Sequence, residues 1–414
     1  MYRFSAASLL RNAFSGHKNW PQQFQSVEPK QKYQAVIVGG GGHGLSAAYH
    51  LAKEFGITNI AVIEKGWIGG GNTGRNTAMV RSNYLQQHSV NLYDASIKMW
   101  ETMSNELNYN VMFSQRGLLH LAHSVSDMQE IGRRAHAINM FGADAELLTP
   151  QQVKKWLPNI NLNCRFPILG ALLQRRGAVA RHDAMAWGYA RGATELGVDL
   201  IQNCEVTGFE INNGEIKCVH TTKGRIKTDT VGIAVSGHSS HLAEMAGFRL
   251  PIETVPLQAL VTEPLKPVLN CAVISASIHA YVSQSDKGEL VIGGGTDPYV
   301  AYANRGAFEE IETMMTAVKE LFPNYSRLRI MRQWAGMVDL TPDRSPIISK
   351  TPIKNMYMDG GWGTGGFKTS PIGGLLMAEM MATDQVPVLA APFALSRFES
   401  GKLIDEGAAS SVAH

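Results

Sequence analysis

The sequence predicts an α/β fold, in which a Rossmann-like domain is assembled from discontinuous segments and an α+β domain contains an antiparallel sheet. Strand and helix signals typical of nucleotide-binding domains recur in three separated regions, at 33–85, 172–248 and 331–382. The region 86–171 is predicted to be mostly helical, and 249–330 to be mostly strands with a helix near 306–321. A single compact Rossmann domain followed by one C-terminal domain explains this order less well.

These regions divide the 414 residues into seven predicted segments. The second domain is inserted twice into the Rossmann-like domain and is expected to hold the substrate. The division is 1–30 as an N-terminal arm; 31–85, 172–248 and 331–385 as the Rossmann-like domain; 86–171 and 249–330 as the substrate domain; and 386–414 as a C-terminal tail.

The first strand signal, at 33–38, runs into a glycine-rich turn with the spacing G-x-G-x-x-G. Gly39 allows the tight turn, Gly41 lets the backbone approach a phosphate, and Gly44 lets the following helix lie close to the strand. A pyrophosphate would then lie at the N-terminus of that helix, where unpaired N–H groups favour negative charge. The predicted cofactor contacts in the turn are Gly39, Gly41, Gly42, His43 and Gly44.

The second strand is predicted at 60–63, and Glu64, which follows it directly, lies 20 residues past Gly44 (64 − 44). A carboxylate at this distance can accept a hydrogen bond from a ribose 2′-hydroxyl, whereas a 2′-phosphate would require a cation. Lys65, next to Glu64, and Val206, at the start of a strand in the second region, are also predicted to contact the cofactor. The fingerprint alone does not separate NAD from FAD.

The loop at 69–77 follows the ribose carboxylate and is rich in glycine and short polar residues. Such a composition favours backbone wrapped around a ligand, although an ordinary flexible loop is the alternative. Its predicted cofactor contacts are Gly71, Asn72, Thr73, Arg75 and Asn76. Arg81 comes just after this loop, and its guanidinium can bind a substrate carboxylate bidentately. Taken alone, Arg81 would more often form a surface ion pair.

A second glycine-rich loop, at 360–368, also leads into a helix, with Ser370 predicted as the N-cap and Pro371 as the first helical residue. A helix N-terminus and the ammonium of Lys368 would stabilise the negative charge of a reduced flavin. Nicotinamide enzymes need no such second loop, so the dinucleotide is predicted to be FAD. The predicted contacts here are Gly363, Gly365, Gly366 and Lys368.

The segment 175–183 contains three arginines, His182 and Asp183. Asp183 can cap a helix that begins at Ala184 and ends near Gly197. His182 therefore lies at the start of that helix. It is either a surface histidine beside a cap or a functional residue, and the arginines form either a solvated face or a site for an anionic group.

The composition excludes several classes of function. The formal net charge is only +3 and no block of Lys or Arg occurs, so no nucleic-acid-binding face is predicted. The four cysteines are far apart in sequence, and neither a metal site nor a redox pair is predicted. No apolar run approaches the roughly 18 residues needed to span a bilayer.

Residues 1–30 carry Arg3, Arg11 and Lys18 between apolar residues, with few acids. The segment could serve as a transit peptide, but it lacks the apolar core of a secretory signal. We favour an arm of the native protein that packs on another subunit, in a cytoplasmic protein.

Several motifs together resemble those of the beta subunits of heterotetrameric sarcosine oxidases, within the D-amino-acid-oxidase-like flavoproteins. The resemblance covers nearly the whole chain, and its later motifs are more specific than the glycine fingerprint. The motifs lie at 38–45, 64–67, 113–117, 179–183, 283–288, 361–368 and 403–406.

This resemblance implies two flavins. FAD would be bound noncovalently where the amine is oxidised, and FMN would be linked through its 8α-methyl group to His182. The neighbouring arginines would suit the phosphate or the flavin charge of FMN. Arg81 and Lys368 are implied as the catalytic residues, which hold the substrate carboxylate against the FAD.

The implied reaction is oxidative demethylation of sarcosine to glycine, with hydride transfer from the N-methyl group to FAD. Electrons pass to FMN and then to oxygen, which gives hydrogen peroxide. The one-carbon unit leaves as formaldehyde or is transferred to tetrahydrofolate. The implied partners are alpha, gamma and delta subunits, and the alpha subunit would bind tetrahydrofolate and NAD.

The segments 77–80, 85–87, 294–298 and 340–344 depart from the pattern of these beta subunits. They neighbour the expected substrate pocket, so the N-methyl substrate stays open. One alternative is a dehydrogenase subunit for another N-methyl amino acid, such as N-methylglutamate, that uses a protein electron acceptor. Another is a noncatalytic flavin-binding electron-transfer subunit.

Overall fold

The strands form two large sheets and one small one. The computed structural model describes residues 5–16, 18 and 22–404. The strands in chain order are β1 (Lys32–Val38), β2 (Ile60–Ile63), β3 (Met79–Val80), β4 (Ser114–Gln115), β5 (Leu118–Ala122), β6 (Glu146–Leu148), β7 (Gly170–Gln174), β8 (Ala178–Val179), β9 (Asp199–Ile201), β10 (Val206–Asn212), β11 (Glu215–Thr221), β12 (Gly224–Ile233), β13 (Glu253–Pro264), β14 (Ala272–Ser275), β15 (Ala280–Gln284), β16 (Glu289–Thr296), β17 (Ile330–Leu340), β18 (Ile347–Lys350) and β19 (Met356–Gly360).

The helices pack against one another as well as against the strands. In chain order they are α1 (Ala6–Phe14), α2 (Gly42–Phe55), α3 (Gln87–Glu106), α4 (Val125–Met140), α5 (Pro150–Trp156), α6 (His182–Glu195), α7 (Ser239–Met245), α8 (Phe308–Leu321), α9 (Gly366–Thr383) and α10 (Arg397–Ser400). The most extensive contact between helices is that of α2 with α9.

The first sheet has the order β10-β11-β12-β1-β2-β9, with β19 paired to β12 and β18 paired to β19. The pairs among β19, β12, β1, β2 and β9 are parallel, as a Rossmann-like core requires. The chain reaches this sheet in three separate passes, which confirms the predicted Rossmann-like domain of discontinuous segments.

The second sheet has the order β17-β13-β16-β15-β14-β5-β7-β6 and is antiparallel except for the pair β14–β5. Two predicted segment boundaries do not match the strand pairing. β7 and β17 both belong to the second sheet, whereas the predicted boundaries place most of each strand in the Rossmann-like domain. Cross-strand partners distant in sequence decided their membership, and local patterns do not show such partners.

Two glycines permit close backbone contacts around the turn from β1 to α2. Gly39 has φ of +110°, and a side chain there would collide with the carbonyl of Ala234. A side chain at Gly44 would collide with the carbonyl of Gly39. Gly56 ends α2 in the left-handed conformation, with φ of +68°. The helix predicted to follow the glycine turn is therefore confirmed.

Two predicted helix starts are wrong. α9 begins at Gly366 rather than at Pro371, so Pro371 lies inside the helix and Ser370 does not cap it. The Ser370 hydroxyl instead donates to the Gly366 carbonyl over 3.2 Å. Packing of α9 against α2 outweighs the local signal of these two residues. The helix accepts Pro371 because this residue lies near the helix start and its fixed φ is close to that of a helix. α6 begins at His182, with Arg181 at the N-cap position, whereas Asp183 bonds to the N–H of Ala184.

The two chain ends behave differently. α1 has no buried residue, and further along the arm Ser26 forms a bridge to Leu200 at the edge of the first sheet. The segment predicted as a C-terminal tail is packed as far as residue 404, since Phe393 and Arg397 are buried. Parts of both predicted segments, 1–4, 17, 19–21 and 405–414, lie outside the described residues.

The buried pair Arg397–Asp343 fastens this C-terminal segment, with Nε 2.8 Å from Oδ2. We expect Arg397→Ala to lower the free energy of unfolding by about 3–5 kcal/mol, because it leaves a buried carboxylate unpaired. Urea unfolding at pH 7 measures this. The exposed pair Arg175–Glu146 supplies the control variant Arg175→Ala, which should leave the unfolding midpoint almost unchanged. Equal effects in the two variants would contradict the expectation.

The same pair predicts an acid sensitivity. Burial disfavours ionisation of Asp343, but the hydrogen bonds from Arg397 outweigh it and hold the pKa of Asp343 below its ordinary value. Because the folded pKa lies below the unfolded one, the stabilisation is present above about pH 4. It is lost as the pH falls through the folded pKa.

Candidate active site

A cavity of about 930 Å³ opens at the carboxyl ends of β1 and β2 and is closed on its other side by the second sheet. This is the position in which open α/β sheets bind their ligands. Most of the predicted site residues line it. They are Gly39, Gly41, Gly42, His43, Glu64, Lys65, Gly71, Asn72, Thr73, Arg75, Asn76, Arg81, Val206, Gly363, Gly366 and Lys368.

Three predicted site residues do not line this cavity: Gly44, Gly365 and His182. Gly44 acts in packing, as described above. A side chain at Gly365 would collide with the hydroxyl of Tyr93. These two glycines therefore shape the cavity indirectly, by letting helices and rings approach one another.

The carboxylate of Glu64 holds the glycine turn in place. Its Oε2 accepts from the N–H of Gly40 and its Oε1 accepts from the N–H of Gly66, each over 2.8 Å. The turn therefore reaches the start of α2 with a defined shape. Gly42 donates its N–H to Thr73 Oγ1 over 3.0 Å, which ties the loop at 69–77 to the same turn.

The loop at 69–77 is fixed by its own polar side chains. Asn72 bonds to the backbone of Met337 in β17, and Arg75 Nη1 donates to the carbonyl of Gly71 over 2.9 Å. Asn76 Oδ1 accepts from the N–H of Ala78 over 2.6 Å. By contrast, a Cβ added to Gly71 would meet open space among the described residues, so the backbone there faces the cavity. These polar residues shape an ordered loop.

The rim of the cavity carries Lys65 and Val206. Lys65 is largely exposed and its ammonium lies 2.7 Å from the carboxylate of Glu205. Val206 is buried at the start of β10. The rim therefore presents both a surface cation and an apolar wall.

Lys368 lies in the first turn of α9 and is buried. Its carbonyl accepts from Ser96 Oγ over 2.7 Å and from Trp100 Nε1 over 2.8 Å, so α3 fixes its backbone. Its ammonium donates to the carbonyl of Thr364 over 2.8 Å and to the hydroxyl of Tyr84 over 3.4 Å. Burial, with repulsion from Arg81, holds the pKa of Lys368 well below its ordinary value.

Arg81 approaches the same place from the other side. It is 5% exposed, its Nη1 donates to Asn83 Oδ1 over 2.7 Å, and its guanidinium lies 4.8 Å from the centre of the Tyr84 ring. Tyr84 stacks on Tyr93, with ring centres 3.7 Å apart. The fold thus brings two buried cations together around one aromatic stack, although the residues are far apart in sequence.

Sequence reasoning missed several residues of the cavity wall. Tyr281 and Ile274 line it from the second sheet, and Trp362 and Asp339 line it beside the glycine loop. Burial raises the pKa of Asp339 to about 6, against the N–H of Gly361 and the charge of His43. Tyr281, Ile274 and Asp339 lie in strands, and sequence periodicity does not show which strand face meets the cavity.

His182 occupies a separate place at the N-terminus of α6. Among the described residues its buried Nδ1 has no hydrogen-bond partner, and burial lowers the pKa of its ring. The three neighbouring arginines are all paired with carboxylates: Arg175 with Glu146, Arg176 with Asp94 and Glu101, and Arg181 with Asp183 and Asp286. They are neither a bare solvated face nor an anion site with unpaired cations.

In the described part of the chain, two separate groups of side chains each bring enough ligand atoms together to hold a metal ion, and no sequence spacing indicated either group. They are Glu210, Cys218 and His220, and His50, Glu54 and Glu106. In each group a carboxylate already pairs with a cation, Arg225 in the first and Lys53 in the second. We assign no metal to either group.

The comparisons with known proteins agree with this geometry. The family model described as "FAD dependent oxidoreductase" matches residues 34–380. A sarcosine oxidase subunit beta from Rhodobacter capsulatus is 51% identical over 415 residues, which covers 100% of each chain. The chain belongs to the sarcosine oxidase beta-subunit family of FAD-dependent oxidoreductases. It is therefore a flavoprotein enzyme that oxidises amines and acts on CH–NH bonds.

Other members of the family are equally similar. The sarcosine oxidase subunit beta of an Arthrobacter species is 54% identical, over 94% of this chain and 96% of that one. The corresponding subunit of Rhizobium meliloti is 50% identical, over 98% of this chain and 97% of that one.

Solved structures carry the same fold. L-Proline dehydrogenase from P. horikoshii superimposes with a TM-score of 0.85 at 30% identity, over 91% of this chain and 100% of that one. Glycine oxidase from Geobacillus kaustophilus superimposes with a TM-score of 0.81 at 21% identity, over 89% and 99%. Within 5–16, 18 and 22–404, no helix combines the length and the apolar character needed to cross a bilayer.

Proposed function

We propose that this chain oxidises sarcosine to glycine at a noncovalently bound FAD, as the beta subunit of a heterotetramer with alpha, gamma and delta subunits. The observation that carries the proposal is the convergence of Arg81 and Lys368 in the wall of the FAD cavity. The names of the relatives support the substrate and the subunit role.

Arg81 and Lys368 suit the carboxylate of an amino acid. Two buried cations repel each other, and this repulsion contributes to the lowered pKa of Lys368. A carboxylate bound between them offsets the repulsion and raises the pKa of Lys368. The site therefore binds an anion more strongly than either cation would alone.

The chemistry requires a second property of the site. FAD, when bound, accepts the hydride from the N-methyl carbon, and the amine must be neutral to release it. Cations close to the amine disfavour its protonated form. Arg81 and Lys368 thus hold the carboxylate and favour the free base with the same charges.

His182 is proposed as the attachment point of FMN, through the flavin 8α-methyl group. The lowered pKa of its ring supports this role, since a neutral imidazole has one nitrogen lone pair available for a new bond. In the complete scheme oxygen is reduced to hydrogen peroxide at this second flavin. The one-carbon unit leaves as formaldehyde or passes to tetrahydrofolate on the alpha subunit, which would also bind NAD.

Anaerobic mixing of the co-expressed complex with sarcosine tests catalysis. We expect the FAD absorbance to bleach in the wild type and at least about 100-fold more slowly in Arg81→Ala and Lys368→Ala, because each loses a charged hydrogen bond that positions the substrate. Lys217→Ala removes an exposed cation paired with Glu215 and serves as the control. Unchanged bleaching in the cavity variants would refute their roles, and bleaching only with other N-methyl amino acids would change the substrate.

The lowered pKa of Lys368 predicts a pH dependence of anion binding. Methoxyacetate is an isostere of sarcosine without a titratable amine, and its binding is measured by the change in flavin absorbance. Anion binding requires protonated Lys368, so we expect the affinity to fall by up to about tenfold per pH unit above that pKa. Lys368→Arg, which stays charged, should abolish the dependence. The same pH dependence in this variant would contradict the assignment.

Denaturation of the co-expressed complex in acid tests the flavin link. We expect yellow colour to stay on the peptide that contains His182, because a covalent bond survives the loss of the fold. His182→Asn should release all flavin, whereas His220→Asn, at a half-exposed histidine of β11, should retain the colour. A colourless His182 peptide in the wild type would refute the assignment.

A further inference from the structure

His43 lies in a slot made for its ring at the meeting point of α2 and α9. It is the second residue of α2, and its ring lies 4.9 Å from the ring of Trp362. Gly373 of α9 provides the space, because a Cβ there would lie 2.6 Å from His43 Nδ1 and 2.9 Å from Asp359 Oδ2. A side chain larger than hydrogen at 373 would displace the imidazole.

Both nitrogens of the imidazole face acceptors. Nδ1 lies 2.7 Å from Asp359 Oδ2, and Nε2 lies 2.7 Å from the carbonyl oxygen of Gly366. A carbonyl oxygen only accepts, so Nε2 carries a proton. The second oxygen of Asp359 accepts from the indole N–H of Trp362. An imidazolium that donates from both nitrogens satisfies every one of these partners. A neutral pair, in which the carboxyl group donates to Nδ1, would fit the same distances, and the measurements below separate the two.

We propose that His43 and Asp359 form a buried imidazolium–carboxylate pair that keeps the cavity wall neutral and thereby raises the reduction potential of the bound FAD. Both residues line the cavity, between the turn at Gly41–Gly42 and the loop that leads to Lys368. The inference rests on FAD binding in this cavity and not on the identity of the amine substrate.

The charges around the ring agree with this assignment. Burial lowers the pKa of His43, but the charge and hydrogen bond of Asp359, the carbonyl of Gly366 and the charge of Asp339 raise it above its ordinary value. Lys368 is the nearby cation of α9, and its ammonium is directed to Thr364 and Tyr84 instead. The imidazolium thus faces two carboxyl groups.

The consequence concerns the reduced flavin, which carries additional negative charge. If the imidazolium is removed, the carboxylate of Asp359 remains in the cavity wall without its counter-charge. The reduced cofactor is then destabilised more than the oxidised one, so its potential falls. The effect is electrostatic, and it disappears when the carboxylate is neutralised too.

A double-mutant cycle measures this effect in the purified holoenzyme. We expect His43→Gln to weaken binding of reduced FAD at least about tenfold relative to oxidised FAD, which is about 30 mV in a two-electron potential. Asp359→Asn should stay within twofold of the wild type, since the ring then becomes neutral. The double variant His43→Gln/Asp359→Asn should return toward the wild-type potential, because both charges are gone.

A purely structural role gives a different pattern. The double variant would then be at least as perturbed as His43→Gln, and this result would overturn the proposal. An unchanged potential in His43→Gln would overturn it as well. The cycle follows the flavin by spectroelectrochemistry without any amine, so a failure with sarcosine does not affect its outcome.

A second measurement reads the protonation of the ring in the wild-type holoenzyme itself. The ¹⁵N chemical shifts of the His43 ring in the labelled wild-type holoenzyme report its protonation, with Gly373→Ala as the variant that identifies the signals. Two protonated nitrogens at pH 8 support the ion pair. A single protonated nitrogen at that pH would overturn it.

Discussion

The contact of α2 with α9 is the constraint on which the cavity depends. Ser46 Oγ donates to the carbonyl of Pro371 over 3.0 Å, and a Cβ on Gly374 would lie 2.5 Å from the same Ser46 oxygen. The two helices therefore touch along their backbones, and their N-termini reach the same cavity. Helix N-termini attract negative charge, so the close contact makes one region suited to an anionic dinucleotide.

The contact of α9 with α3 positions the reacting end of the site. Lys368 lies in the first turn of α9, and α3 holds its carbonyl through Ser96 and Trp100. The ammonium is thereby kept near Arg81 in spite of their repulsion. Two like charges stay close together only where the surrounding packing fixes their positions. Their repulsion favours the binding of a substrate carboxylate between them. In the proposed pair the imidazolium of His43 is balanced by Asp359, whereas Arg81 and Lys368 are the cations proposed to bind a substrate carboxylate.

Much of the fold could be predicted from local patterns. The strand before Glu64 shows in its apolar run. The glycine turn and the hairpin at Asn213–Gly214 show in residue types that permit the backbone conformation; both hairpin residues have positive φ, 54° and 76°. The start of α9 could not be predicted, because packing against α2 outweighed the signals of Ser370 and Pro371. β7 and β17 could not be assigned to a sheet, since their partners lie far away in sequence.

The sequence by itself determined the chemistry that the chain can hold: a turn for a dinucleotide, a carboxylate beside it, two glycine-rich loops and the types of residue that bind a carboxylate. These depend on backbone freedom and on short spacings, which local sequence specifies. Only the tertiary structure decided which groups meet. It paired the arginines near His182 with acids, brought Arg81 to Lys368 and placed His43 between Asp359 and Gly366. Except for the pair Arg181–Asp183, these contacts join residues distant along the chain, because burial and electrostatics act through space.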